Sequence, residues 1–287
     1  MKLKKSNLTW AILCLLPLSA CTGGSDISAP ITPVSASASE PGFAPKTAAP
    51  GPQVRTWAKD VLIFNGDGAA YDDPESLADI VSSHGLTYEY ADSSRLNSMS
   101  MDELMKFGTL VWPGGYAGQQ ADSLSVETRE KIRKAVTENG LNYTGFCAGA
   151  FIAVGAMPAP GKAPDYGMAL VEGKELGYFY PNHDGNSDTE TMVPVKFGDG
   201  SSRELVFWGG PAVTDFPGGV VGRYADGTPA ISQAFSGKGL VTISGPHPEA
   251  PETWYTKLGL TDSDGLDHET AFALINSSLK QVPLKAF

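Results

Sequence analysis

Three residues with side chains suited to nucleophilic chemistry follow apolar stretches of this sequence. Cys147 lies between two glycines in GFCAGA, and His247 and Glu249 follow the apolar run GLVTIS in GPHPE. A thiol needs a base to become a thiolate, and an imidazole base needs a partner that fixes its tautomer. The three residues therefore predict a Cys-His-Glu triad attacking a carbonyl carbon. Taken alone, Cys147 is equally compatible with a buried structural cysteine at a strand end.

The spacing around Cys147 also predicts its backbone geometry. Gly-x-Cys-x-Gly is the spacing of a nucleophile elbow, a tight strand-to-helix turn with the reactive side chain at its tip. We expect a helix at 148–157, whose N-terminal dipole favours a thiolate. The Ala148 N–H group, with those of Gly114 and Gly115, predicts an oxyanion hole. Tyr116 follows these glycines, and Asp67 either faces the same pocket or belongs to a simple turn.

The elements that must position these residues alternate along the first half of the globular part. Short apolar runs predict strands at 61–64, 86–91 and 141–146 and a strand with its following loop at 109–115, with helices between them. Asp73 and Pro74 predict the N-cap and first residue of the first helix. Alternating strands and helices predict an α/β fold with a mainly parallel sheet, whose carboxyl-terminal edge holds the ligand crevice.

The second half of the sequence is rich in predicted strands. Asp199-Gly200 and Asp226-Gly227 are hairpin turns between apolar stretches, and 239–244 is a further buried strand. These strands either extend the sheet or add a small β layer.

The N-terminal region predicts export and anchoring. A basic start and a short apolar run predict a signal peptide at 1–20, too short for a stable membrane span. Leu18-Ser19-Ala20-Cys21 resembles the bacterial lipoprotein signal, which implies lipidation of Cys21 and a membrane anchor; the alternative is an ordinary signal peptide. Residues 21–56 are rich in Ser, Ala and Pro and predict a disordered tether. Residues 57–287 form the predicted globular domain. Thr22 follows Cys21, and the resemblance to lipoprotein sorting patterns, in which Asp is absent from this position, implies the outer membrane, facing the periplasm.

Cysteine usage and charge narrow the function classes. Cys14 would leave with the signal peptide and Cys21 would carry lipid, so Cys147 would have no disulfide partner. An unpaired thiol in an oxidising compartment is either well buried or retained for its chemistry. The chain has a formal net charge of −11, and loss of the signal lysines makes it more negative. This charge argues against nucleic acid as a partner.

Four motif blocks resemble those of one protein family. VWPGG, GFCAGA and GPHPE resemble, in order, the blocks of class I glutamine amidotransferase-like domains, and FWGGP resembles a further block of the biotin-protein ligase N-terminal-like branch. The resemblance covers about 60–255. It implies a flavodoxin-like three-layer sandwich, with Cys147 as nucleophile, His247 as base and Glu249 as its orienting partner. It implies no metal or cofactor.

The sequence also departs from that family. Ala150-Phe151 stand where glutamine-using members commonly carry a polar residue, and no segment resembles a synthetase domain or a biotin-ligase adenylate loop. We therefore expect a cysteine-dependent amidohydrolase or peptidase with an unknown small-molecule or peptide substrate, and no biotin-ligase activity. The alternatives are a non-catalytic ligand-binding or scaffold lipoprotein and, less favoured, a redox or chaperone-like thiol. The polar-aromatic segment 178–188 predicts a solvated insertion rather than a metal or substrate site.

Overall fold

The computed structural model describes residues 55–159, 166–216 and 218–287. The predicted signal peptide 1–20, Cys21 and almost all of the tether 21–56 lie outside the described residues. Within the described ranges, no helix has both the length and the apolar character needed to cross a membrane.

Strands and helices alternate in the first half of the described chain, and strands dominate the second half. The strands are β1 (Lys59–Phe64), β2 (Tyr88–Ala91), β3 (Phe107–Trp112), β4 (Asn142–Phe146), β5 (Val154–Gly155), β6 (Val171–Glu172), β7 (Glu190–Phe197), β8 (Ser202–Trp208), β9 (Val220–Tyr224), β10 (Pro229–Ser236) and β11 (Gly239–Ser244). The helices are α1 (Asp73–Ser83), α2 (Ser93–Ser98), α3 (Met101–Leu104), α4 (Ala117–Asp122), α5 (Val126–Thr137), α6 (Ala148–Ala153), α7 (Glu252–Leu258) and α8 (His268–Lys280).

One mixed sheet organises the described residues. Its nine strands have the order β2-β1-β3-β4-β11-β10-β9-β7-β8. Neighbours from β2 to β11 run parallel, and those from β11 to β8 run antiparallel. The predicted parallel sheet is therefore present, and the strand-rich second half extends it rather than forming a separate layer.

Both faces of the parallel region are covered by helices. Alternate residues of a strand point to opposite faces, so Val61 and Ile63 pack on one side and Leu62 and Phe64 on the other. Helices α1 and α8 contribute Leu77, Ile80, Leu274 and Ile275 to the first side, and α2 to α6 contribute Leu96, Leu104, Ala121, Ile132 and Ile152 to the second. This explains the continuous apolar runs of β1 and β3, since strands buried on both faces lack polar alternation.

Two local expectations differ from the structure. The helix predicted at 148–157 is shorter, because Val154 and Gly155 leave it as β5 and pair with β6. Asp73 is not the N-cap of α1: Asp72 occupies that position with a φ of 71°, and Asp73 is the first helical residue. The carboxyl group of Asp73 instead accepts a hydrogen bond from the distant Gly114 N–H group.

Candidate active site

Cys147 occupies a sharp turn between β4 and α6. Its φ of 46° and ψ of −101° lie outside the usual regions for a residue with a side chain, a conformation that costs about 1–3 kcal/mol. Its carbonyl oxygen accepts hydrogen bonds from the N–H groups of Ala150 and Phe151, and its own N–H donates to the Ser244 carbonyl oxygen at 2.8 Å. The strained backbone is therefore held from both the helix and the neighbouring strand β11.

Gly145 and Gly149, on either side of Cys147, are required because backbone atoms of other residues lie too close to leave room for a side chain. A Cβ atom on Gly145 would lie 2.6 Å from the carbonyl carbon and oxygen of Gly149. A Cβ atom on Gly149 would lie 2.7 Å from the Trp112 carbonyl oxygen in β3. The Gly-x-Cys-x-Gly spacing thus allows the first turn of α6 to pack directly against the sheet.

His247 and Glu249 form a buried pair just beyond β11. The His247 Nδ1 atom lies 2.8 Å from Glu249 Oε1, and the two residues are 1% and 0% exposed. The His247 N–H group donates to the Val206 carbonyl oxygen at 2.7 Å, which fixes the backbone beside β8. The Ser76 hydroxyl in α1 donates to the Glu249 carbonyl oxygen at 2.6 Å. The pair is thus held from two sides of the sheet edge.

Strand pairing brings Cys147 and His247 to the same edge. In the parallel pair of β11 and β4, Ser244 lies opposite Phe146. The segments that follow the two strands therefore leave the sheet at the same edge. Burial lowers the pKa of His247, but the charges of Cys147 and Glu249 and hydrogen bonds with both side chains raise it well above its ordinary value. The environment therefore favours a protonated His247 imidazole, the form that a histidine base takes once it has accepted a proton from a cysteine thiol.

The predicted oxyanion donors differ in whether their N–H groups already make a hydrogen bond. The Gly114 N–H group donates to Asp73 Oδ2 at 2.7 Å and is already used. In the part of the chain that the structure describes, the N–H groups of Gly115 and Ala148 donate to no protein acceptor. Gly115 has a φ of 127°, a conformation that favours glycine. Gly115 and Ala148 therefore remain as available donors.

Asp73 is the site residue that the sequence did not indicate. It is fully buried, and one of its carboxyl oxygens lies within 4.8 Å of ligand atoms of both His247 and Glu249. Burial and the charge of Glu249 raise its pKa well above the ordinary value, although His247 and the Gly114 N–H group act in the opposite direction. Asp73 was missed because its sequence signal is that of a helix start, and Gly114 is 41 residues away.

Two tryptophan residues, Trp208 and Trp254, contact the thiol and the imidazole. The Cys147 Sγ atom lies 3.6 Å from the Trp208 carbonyl oxygen, and the His247 ring meets the Trp254 ring edge-on at 5.1 Å. Trp208 and Trp254 are also edge-to-face, 5.3 Å apart. Trp208 is only partly buried, whereas Trp112 in β3 is fully buried.

The remaining predicted residues lie at the periphery. Asp67 is exposed, and its N–H group donates to the Ser93 hydroxyl, while Tyr116 is 75% exposed. Within the segment 178–188, Tyr178 packs against Phe151 of α6 with ring centroids 5.0 Å apart. Most of this segment is exposed, but its aromatic start contacts the helix that follows Cys147.

Among the described residues, two groups of side chains offer donors that a metal ion could use. One consists of Asp73, His247 and Glu249, but the His247 Nδ1 atom there is already hydrogen-bonded to Glu249. The other consists of the exposed Asp264, the partly buried Asp262 and the buried Asp267. The Arg203 guanidinium already contacts this second group, with Nε 2.8 Å from Asp267 Oδ1.

The fold is shared with solved proteins. No protein-family model matches the chain, and no curated protein sequence is similar to it. A crystal structure titled glutamine amidotransferase is 18% identical with a TM-score of 0.50, covering 75% of this chain and 98% of that one. The structure of PurLQS from Thermotoga maritima is also 18% identical with a TM-score of 0.50, covering 77% of this chain and 100% of that one. The described domain therefore has a glutamine amidotransferase-like α/β fold.

Proposed function

We propose that this chain is a lipid-anchored cell-envelope protein that hydrolyses an amide or peptide bond through Cys147, His247 and Glu249. The observation that carries the proposal is the buried His247–Glu249 hydrogen bond at the edge where the strained Cys147 turn leaves β4. In this proposal the turn is a nucleophile elbow in a flavodoxin-like sandwich. The branch closest to it is the biotin-protein ligase N-terminal-like domain, without ligase activity.

The geometry supports a two-step acyl transfer. Since Nδ1 of His247 is hydrogen-bonded to Glu249, Nε2 is the ring nitrogen left to accept the thiol proton of Cys147. The thiolate attacks the carbonyl carbon, and the resulting oxyanion is stabilised by the N–H groups of Gly115 and Ala148. The imidazolium gives its proton to the leaving amine, the C–N bond breaks, and a thioester forms.

The second step releases the acyl group. His247 accepts a proton from a water molecule, whose oxygen attacks the thioester carbon. The C–S bond breaks, the carboxylic acid leaves, and the proton returns to the Cys147 sulfur. Glu249 keeps the ring oriented throughout.

Substrate profiling tests this proposal. The full-length protein in detergent is incubated with glutamine, γ-glutamyl amides and short cell-wall peptides, and released amines are quantified. We expect turnover of one of these amide classes by the wild type and none above background by Cys147→Ala. Equal amine release by the two proteins would contradict the proposal.

A specific observation favours a second candidate, a binding protein that retains the fold without turnover. Cys147 and His247 are 4% and 1% exposed, and the Gly114 N–H group is occupied by Asp73. A substrate carbonyl would therefore need local opening to reach the thiol. This candidate predicts that Cys147→Ala retains the ligand affinity of the wild type and every function of the protein in cells.

A further inference from the structure

Two buried carboxyl groups lie close together at the candidate active site, with one oxygen of Asp73 within 4.8 Å of one oxygen of Glu249. Asp73 and Glu249 are both 0% exposed. Each has one oxygen, Oδ1 of Asp73 and Oε2 of Glu249, that makes no hydrogen bond within the described residues. The other oxygen of each is used, because Asp73 Oδ2 accepts from Gly114 and Glu249 Oε1 contacts His247.

The local charges do not support two carboxylates here. The charged groups that act on Asp73 are Glu249, His247 and Glu75 on its own helix. His247 is the cation among them, and it is already shared between Glu249 and Cys147. Two carboxylates in one buried site repel each other, so one of them holds a proton. Glu249 is hydrogen-bonded to the imidazole, whereas burial and the charge of Glu249 raise the pKa of Asp73.

We propose that Asp73 is a protonated positioning residue that links the Gly114 loop to Glu249. Its Oδ2 atom holds the Gly114 N–H group, and the proton on its other oxygen is directed to Glu249. This role rests on the proposed function. Asp73 orients the loop that carries Gly115, and it also orients the Glu249 side chain, which in turn orients His247. The position of Gly114 makes the loop sensitive, because a Cβ atom there would lie 2.4 Å from His247 Cε1.

The expected pH behaviour follows from the sign of the Asp73 shift. The pKa of Asp73 is raised in the folded protein, so above the unfolded value of about 4 the unfolded state loses a proton that the folded state keeps. The stability of the wild type therefore falls with rising pH until Asp73 ionises in the folded state. Asp73→Asn keeps the neutral hydrogen-bonding groups and removes this dependence.

Full-length wild type, Asp73→Asn and Asp73→Ala in detergent test the proposal without requiring turnover. In infrared spectra at pH 7, the wild type should show a protonated-carboxyl C=O band that Asp73→Asn lacks. In chemical denaturation, the unfolding constant of the wild type relative to Asp73→Asn should rise by up to about tenfold per pH unit above pH 4. Asp72→Asn, a change at the adjacent residue, should keep the carboxyl band and should show the same pH dependence of stability as the wild type.

Reactivity provides the readout specific to positioning. The iodoacetamide alkylation rate of Cys147 at pH 7 should be largely retained in Asp73→Asn and should fall about 10- to 100-fold in Asp73→Ala, which leaves a buried N–H unpaired. A wild type without the carboxyl band, or with a pH-independent stability ratio, would overturn the proposal. Equal losses of the Cys147 alkylation rate in Asp73→Asn and Asp73→Ala would also overturn the proposal. If the band is present but no amide is hydrolysed, the proposed function fails and the protonation of Asp73 stands.

Discussion

At the scale of single residues, the site depends on how buried charges are balanced. His247 is buried, yet its pKa is raised because Cys147 and Glu249 favour the protonated ring more strongly than burial disfavours it. The surface offers a contrast, since His84 pairs with Glu269 at 3.2 Å with side chains 23% and 82% exposed. An exposed ion pair contributes little to the stability of the fold. Removing one member of a buried pair, in contrast, changes the protonation of the other.

Glu249→Gln tests the orienting role. The neutral amide removes the charge that helps to keep His247 protonated, so the pKa of His247 should fall, as measured by NMR of the ring. Amide hydrolysis should fall by about 10²- to 10⁴-fold, the usual contribution of a positioned acid-base group. Glu269→Gln, the change in the exposed pair, should leave hydrolysis unchanged. Retention of the wild-type rate by Glu249→Gln would exclude Glu249 as the partner of the base.

At the scale of elements, the site is assembled by the ends of β3, β4 and β11 together with the first turns of α1 and α6. The β11 run 239–244 was predicted with its observed bounds, because a buried strand flanked by glycine has a clear sequence signal. Ser100 and Glu103 form a capping box at the start of α3, which is likewise a local signal. The role of Asp73 could not be predicted, since its helix-start signal is local and its partners, in the loop after β3 and beyond β11, are distant in sequence.

Gly149→Ala tests the packing of α6 against β3. The new methyl group would lie 2.7 Å from the Trp112 carbonyl oxygen, a backbone atom that cannot move freely. We expect the free energy of unfolding to fall by about 1–3 kcal/mol, as for other overpacked sites. Gly118→Ala in α4 is the control, because a Cβ atom there meets nothing within 4 Å. It should raise the stability by up to about 1 kcal/mol. Equal denaturation midpoints for the two variants would contradict this account of the turn.

At the scale of the whole molecule, the parallel region carries the candidate chemistry and the antiparallel region supports it. Strand β8 contributes Trp208 to the wall of the site, and its residue Val206 holds His247 through the backbone. The sequence predicted the hairpins but left open whether they joined the sheet, because hairpin signals are local and the order of strands depends on contacts between distant segments. The anchoring prediction concerns residues outside those described and remains a proposal.

Cys21→Ser tests the anchor. If Cys21 is lipidated, the full-length wild type should incorporate labelled palmitate and sediment with membranes, because a lipid chain adds about 0.8 kcal/mol of membrane binding per buried CH₂. The serine variant should incorporate no label and be recovered mainly in the soluble fraction. Equal labelling and sedimentation of the two proteins would show that Cys21 is not the anchor.

The central claim, that Cys147 is a nucleophile activated by His247, is tested most directly by covalent labelling. The full-length protein is treated with iodoacetamide across pH 6 to 9, and modification of Cys147 is followed by mass spectrometry, with Cys147→Ser as the blank. The account predicts rapid, single-site alkylation of the wild type that persists toward pH 6 and is strongly slowed at low pH in His247→Asn. Equal rates and equal pH profiles for the wild type and His247→Asn, or no modification of folded wild type, would contradict it.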